Sequence, residues 1–229
     1  MKTIGIIGGI GPESTVEYYR LLIAAYRRQT GNYPPILINS INLTLLLNLI
    51  SANQLEKATQ YLLDEINKLA RGGASLGLLA SNTPHIVFNE LQQQSPIPLI
   101  SIVEAVCEAT LALGLKKVGL FGTRFTMQGR FYPEVFSRQG IALSVPTPDD
   151  QAYIHDKYMN ELVQGIFLPE TRERLLAIVE HLQAREGIQG LILGGTELPL
   201  ILADPTHKGI PLLDTTRIHV ERAIAELFK

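Results

Sequence analysis

The chain has 229 residues, 46% of them hydrophobic and 18% charged, with a mean hydropathy of +0.14; that is enough for one large domain or two of roughly 100 residues, each able to bury a core. Its 20 basic and 22 acidic residues give a formal charge of −2 with neither sign gathered into a block, which argues against nucleic acid as the main partner. No apolar run approaches the roughly 20 residues of a bilayer span, a single cysteine excludes a disulfide framework and a Cys-based zinc site, and the short apolar segment 3–7 is no signal-peptide core, so the expected location is cytoplasmic.

In chain order, a strand is predicted over 3–8, then the loop Gly8-Gly9-Ile10-Gly11-Pro12, then a helix from 14 with apolar and aromatic spacing through 26. Pro34-Pro35 introduces a second strand over 36–41. A long helix over 52–71, closed by Gly72-Gly73, leads into a strand over 76–80. Ser81-Asn82-Thr83 reads as a cap, with Pro84 in the first turn of the next helix. The stretch 92–98, with Pro96 and Pro98 flanking Ile97, reads as the crossing into a second unit. There the pattern predicts a helix over 100–114, a strand over 117–122, a loop at 123–127, a strand over 141–145, helices over 149–164 and 169–186, and a strand over 189–193. The tail from 211 to 229 reads as a short strand and a closing helix that packs back on the first unit.

The two halves repeat each other. Lys2-Thr3-Ile4-Gly5-Ile6-Ile7-Gly8 is echoed 114 positions on by Lys116-Lys117-Val118-Gly119-Leu120-Phe121-Gly122. The same shift carries Tyr18 onto Tyr132, Arg71 onto Arg185, Gly73 onto Gly187, and Ala80-Ser81-Asn82 onto Gly194-Gly195-Thr196. Matching punctuation at a fixed offset implies two copies of one supersecondary unit. The expected fold is α/β: two similar domains related by pseudo-twofold symmetry, each with a mainly parallel sheet flanked by helices. The expected domains are 1–98 with 212–229, and 99–211. In open α/β sheets ligands bind at the C-terminal ends of strands, so a cleft is expected between the strand-end loops of the two copies.

The glycine-rich loop invites a dinucleotide reading that the sequence does not support. Counted from Gly9, the third fingerprint glycine falls on Ser14, Pro12 removes a backbone donor, and no acid lies where one is wanted near 29–33. A tight turn for close strand-helix packing explains the loop better. Ser81-Asn82-Thr83, by contrast, joins short polar side chains to amides at an expected helix start, a compact seat for a carboxylate. Its repeat partner Gly195-Thr196-Glu197 offers the same from the other unit; the bland alternative is a pair of ordinary N-caps.

Four segments resemble the aspartate/glutamate racemase family: Gly8-Gly9-Ile10-Gly11-Pro12-Glu13-Ser14-Thr15, Ser81-Asn82-Thr83-Pro84-His85, Gly122-Thr123-Arg124-Phe125-Thr126-Met127 and Gly194-Gly195-Thr196-Glu197-Leu198-Pro199. They span nearly the whole chain in family order. The resemblance implies two related α/β domains and a cofactor-independent racemase acting on a small carboxylate such as aspartate or glutamate. It implies substrate contacts from Gly9, Asn82, Thr83, Thr123, Phe125, Thr126, Thr196 and Glu197. Family members invert the Cα stereocentre with two thiols, one removing a proton and the other returning one to the opposite face. In this sequence Ser81 and Gly195 stand at those two positions, so the two-thiol mechanism is not available. A serine hydroxyl needs an adjacent base and glycine has no side chain. A non-catalytic amino-acid or dicarboxylate-binding protein on the same scaffold is the alternative, and thiols restored at 81 and 195 together are expected to restart exchange.

Other candidates are weaker. Glu197 and His85 could substitute as bases, although a helix-face histidine bonded to a loop carbonyl explains His85 better. Cys107 lies in a helical stretch and reads as a small core residue. Tyr18, Tyr19 and Tyr132 suit packing, with a ligand contact open to one of them. Lys157 and Arg130 could pair with a dicarboxylate or simply face solvent. The histidines at 155, 181, 207 and 219 show no metal-ligand spacing, so no metal is expected. Leu43 to Ile50 is too apolar for an exposed surface and reads as core or as the contact of a homodimer.

Overall fold

The structure, a computed structural model, describes residues 2–229 and divides into two compact units, 2–102 with 219–229, and Val103–Ile218. The first begins with β1 (Ile4–Gly8), α1 (Pro12–Thr30), β2 (Ile36–Ser40), α2 (Leu43–Ser51), α3 (Leu55–Arg71) and β3 (Leu76–Leu79). A 3-10 turn (Thr83–Val87), α4 (Phe88–Gln94) and β4 (Leu99–Ile100) follow. The chain continues through α5 (Ile102–Ala112), β5 (Lys117–Gly122), α6 (Arg124–Gln128), α7 (Phe131–Arg138), β6 (Ala142–Ser144) and α8 (Pro148–Asn160). A second 3-10 turn (Leu162–Gln164), α9 (Pro169–Glu186), β7 (Gly190–Gly194), α10 (Leu198–Ile201), β8 (Thr206–His207), β9 (Ile210–Asp214) and α11 (Thr215–Leu227) complete it.

The first sheet has the order β2-β1-β3-β4, all parallel. The second has β6-β5-β7-β9 in parallel, with β8 added antiparallel at the edge. The internal repeat is thus visible in the strand order: β1, β2, β3 and β4 correspond to β5, β6, β7 and β9. Central strands β1, β3 and β7 are buried along their whole length. Burial on both faces is why they read as continuous apolar runs rather than alternating ones.

The equivalent strands β1 and β5 each carry a glycine where a helix presses against the sheet. A Cβ on Gly5 would sit 2.9 Å from the Cβ of Ala74 and 3.1 Å from a Leu69 methyl; one on Gly119 would sit 2.8 Å from a Leu182 methyl and 2.9 Å from a methyl of Ile188. Ala74 and Ile188 are themselves repeat partners, so the two units solve the same packing problem in the same place. In the first unit Ile4, Ile6, Tyr18, Leu22 and Leu78 form a core with Val220, Ala223 and Ile224 of α11. The second has its own core around Phe121, Ile154, Leu175, Ile178 and Leu193.

Several expected boundaries move. The stretch read as a crossing does not leave the first unit, because β4 pairs with β3 through Gly77 and Leu78; the division falls after Ile102. At the other end β9 pairs with β7, which keeps 212–218 with the second unit instead of the first. The helix expected over 52–71 starts at Leu55, and the leucine-rich stretch before it is a helix of its own, α2. Asn42 caps α2 by accepting from the Leu45 amide at 3.0 Å, Leu46 and Ile50 enter the core, and Leu45 stays exposed. Asn53, at φ 53, turns the chain between α2 and α3, a left-handed conformation that asparagine tolerates. The expected loop at 123–127 contains the short helix α6. No helix among the described residues is long and apolar enough to cross a membrane.

Gly5→Ala and Gly119→Ala are each expected to lower stability by about 1–3 kcal/mol through overpacking. Urea unfolding of the two variants checks this, and an unperturbed midpoint in either would contradict the equivalent packing of β1 and β5.

Candidate functional site

In the first unit the loops after β1 and β3 are sewn together. The Gly9 amide donates to Thr15 Oγ1 at 2.9 Å, and the buried Ser14 hydroxyl donates to the Ala80 carbonyl at 2.7 Å. Gly9 is in the left-handed region at φ +78, and a Cβ there would lie 2.7 Å from the Ile41 carbonyl, so only glycine lets β2 approach this closely. Its amide is engaged by Thr15, which agrees with a packing turn rather than a phosphate cradle.

Ser81, Asn82 and Thr83 follow β3 and are all buried. They do not open an α-helix. Thr83–Val87 is a 3-10 turn, Asn82 makes no side-chain cap, and α4 starts only at Phe88. Pro84 lacks an N–H, and the His85 ring draws the Ser81 carbonyl back at 3.0 Å, which tightens the turn. The expected helix-dipole contribution to a carboxylate seat is therefore absent, and α10, four residues long, offers as little in the other unit.

His85 is committed at both nitrogens. Nε2 accepts from the Ile102 amide at 3.1 Å, which places the proton on Nδ1, where it is donated to Ser81 O. His219 has the opposite tautomer: Nε2 donates to the Ile100 carbonyl at 2.8 Å, and Nδ1 accepts from the Tyr18 hydroxyl at 2.7 Å. The two rings meet edge to face with centroids 6.1 Å apart. Burial, helped by the neighbouring His219 ring, holds His85 down at about 3, and burial holds His219 down at about 4. Both are neutral structural imidazoles at neutral pH, and His85 has no nitrogen left to activate Ser81.

In the second unit Thr123 caps α6 by accepting from the Thr126 amide at 3.3 Å, and the two hydroxyls lie 3.2 Å apart. Phe125 is half-buried, edge-on to His155. After β7, Gly195 has no side chain, and Tyr158 of α8 fills the space one would take. A Cβ built on Gly195 would lie 2.9 Å from Tyr158 Cζ and 3.1 Å from its hydroxyl oxygen, and nearer still to Cε2. The Tyr158 hydroxyl donates to Glu197 Oε2, which also accepts from the Thr196 hydroxyl at 2.9 Å. Burial and the Glu197 carboxylate hold the phenol well above its ordinary range, so it keeps its proton.

In the first unit the bond from Ser14 to the Ala80 carbonyl ties the start of α1 to the end of β3, just before Ser81, Asn82 and Thr83; in the second, Tyr158 and Thr196 both donate to Glu197. Other candidates lie elsewhere. Lys157 pairs with Glu161 and Arg130 with Glu134, both one helical turn away. Cys107 is buried, and desolvation together with Glu108 and Glu104 pushes its thiol up. Tyr18 and Tyr132 lie in the cores, whereas Tyr19 is exposed and does not pack as expected. Among the described residues no group of three or more His, Cys, Asp or Glu could hold a metal ion. Sequence reasoning passed over Ser14, His219 and Tyr158. For Tyr158 a signal existed: Gln151, Ile154 and Tyr158 share the buried face of α8, and a glycine standing where a side chain is expected needs a neighbour to fill the gap.

The family profile described as Asp/Glu/Hydantoin racemase matches residues 7–223. The chain is 26% identical over 225 residues to the broad specificity amino-acid racemase RacX of Bacillus subtilis (strain 168), covering 93% of this chain and 92% of that one. An aspartate racemase homologue from Pyrococcus horikoshii OT3 has a solved structure that superposes with a TM-score of 0.82 at 35% identity, covering 99% of both chains. The aspartate racemase of Picrophilus torridus shares the fold, with a TM-score of 0.80 at 22% identity over 99% of this chain and 94% of that one.

The two histidines set an acid limit. Their folded-state values lie below the ordinary 6.5, so protons bind the unfolded chain first. Their contribution to stability is complete above pH 6.5 and is lost as pH falls through about 4 for His219 and about 3 for His85. Unfolding free energy measured across this range is expected to drop by about 1.4 kcal/mol per pH unit for each ring that protonates, and His219→Gln should remove one proton from the slope. A flat profile from 6.5 to 4 would contradict the assignment.

Proposed function

This chain belongs to the Asp/Glu/hydantoin racemase family, and from that premise we propose that it binds a small carboxylate, an acidic amino acid such as aspartate or glutamate foremost, without the two-thiol racemisation its family resemblance implies. The observation that carries this reading is the state of the two positions that the resemblance assigns to proton transfer. Ser81 is a hydroxyl whose buried neighbour His85 has both nitrogens engaged elsewhere. Gly195 has no side chain, and Tyr158 stands in its volume. Removing a Cα proton needs a base with a usable deprotonated fraction near neutral pH. A serine hydroxyl without a base and a phenol held protonated do not supply one.

The binding half of the reading rests on polar side chains that remain in each strand-end loop. Asn82 and Thr83 of the first unit and Thr123, Thr126 and Thr196 of the second supply donors for carboxylate and acceptors for ammonium. Gly9 and Phe125 shape the loops, and Glu197 is the acceptor suited to an amine. No cofactor enters this reading, and it is compatible with a cytoplasmic protein.

Titration calorimetry with each enantiomer of aspartate and glutamate, paired with NMR detection of Cα deuterium in deuterated water, tests it. We expect measurable heat, no deuterium uptake, and affinity about tenfold weaker in Thr196→Val, the loss of one hydrogen bond to a charged group. Deuterium uptake would overturn the non-racemising reading and turn attention to Glu197 as the base. No heat with any of the four ligands would overturn the acidic amino acid.

A further inference from the structure

Gly195 and Tyr158 compete for one volume. Position 195 follows β7 directly, and α8 delivers Tyr158 to it from the face that also carries Ile154. The ring is buried, and it shares the core of the second unit with Ile154, Leu162 and Leu198. Its hydroxyl is tied to Glu197, which fixes the ring's reach along its own axis. A built Cβ at 195 lies within 3.1 Å of the ring carbon Cζ and of the hydroxyl oxygen, closer than real Cβ contacts allow without movement of the neighbour. That neighbour is a rigid aromatic ring pinned at both ends, not the free end of a flexible chain.

We propose that Tyr158 is a specificity-determining residue: by occupying the side-chain volume of position 195 it decides that no acid-base group can stand there, and so fixes which chemistry the second unit can take part in. The inference rests on reading 195 as a proton-transfer position and deepens that reading. It also corrects the simple expectation from sequence that thiols restored at 81 and 195 restart exchange. With Tyr158 in place, a thiol at 195 has nowhere to go. The ring is not a replacement base, since burial and the Glu197 carboxylate both oppose loss of its proton.

A stability cycle tests the pair without any ligand. Gly195→Ala alone is expected to lower the melting temperature by about 5 °C, the effect of overpacking in a chain of this size. In a Tyr158→Ala background the same change is expected to cost less than about 1 °C or to raise the melting temperature, because the methyl enters vacated space. Tyr158→Phe, which keeps the ring and loses only the hydroxyl, is expected to retain the full penalty. Where Tyr158→Ala does not fold, Tyr158→Leu serves in its place. Gly195→Ala melting like the parent chain, or equal shifts in all backgrounds, would overturn the proposal. Neither outcome would touch the calorimetric result, and absence of ligand heat would leave the stability coupling standing, so the two readings fail separately.

Discussion

Everything in this fold follows from the demand that a parallel strand be covered on both faces. A strand buried throughout can accept a helix on each side only where it leaves room, and Gly5 and Gly119 leave that room at equivalent points of β1 and β5. Close seating of the helices then brings the C-terminal ends of the strands into tight, polar loops whose backbone must be satisfied locally. In the first unit Ser14 and His85 perform that task, each taking up a carbonyl next to the end of β3. Polar side chains in these loops are therefore shared with the backbone before they are offered to anything else.

That sharing explains the character of the loops. An imidazole that bonds to a carbonyl on one side and an amide on the other is a structural cross-link, whatever its place in the sequence suggests. The same holds for Tyr158, whose hydroxyl is directed to Glu197 and whose ring completes the second core. In each unit buried polar groups are matched to one another first, and only what remains can meet a ligand.

The sequence revealed much of this because the signals concerned were local or periodic. The 114-residue offset anticipated two sheets of the same strand order, and apolar runs such as Leu76-Gly77-Leu78-Leu79 marked the central strands. What stayed hidden depended on pairings between distant residues. Leu99 and Ile100 are too few to read as a strand until β3 is beside them, and the division between α2 and α3 turns on the single left-handed residue Asn53. The Gly195 loop was legible as a position and not as an environment, because Tyr158 comes from another element, 37 residues earlier in the chain. Nor does sequence spacing tell a capped α-helix from the 3-10 turn at Thr83–Val87.

The crowding at Gly195 also ties two positions distant in sequence into one unit. A methyl or a thiol at 195 meets a filled space, and a smaller group at 158 leaves a hollow in the core, so a change at either position alone carries a cost. A side chain at 195 is accommodated only where the ring at 158 gives way to something smaller. Glycine at 195 and tyrosine at 158 are complementary halves of a single volume, and neither residue is explained without the other.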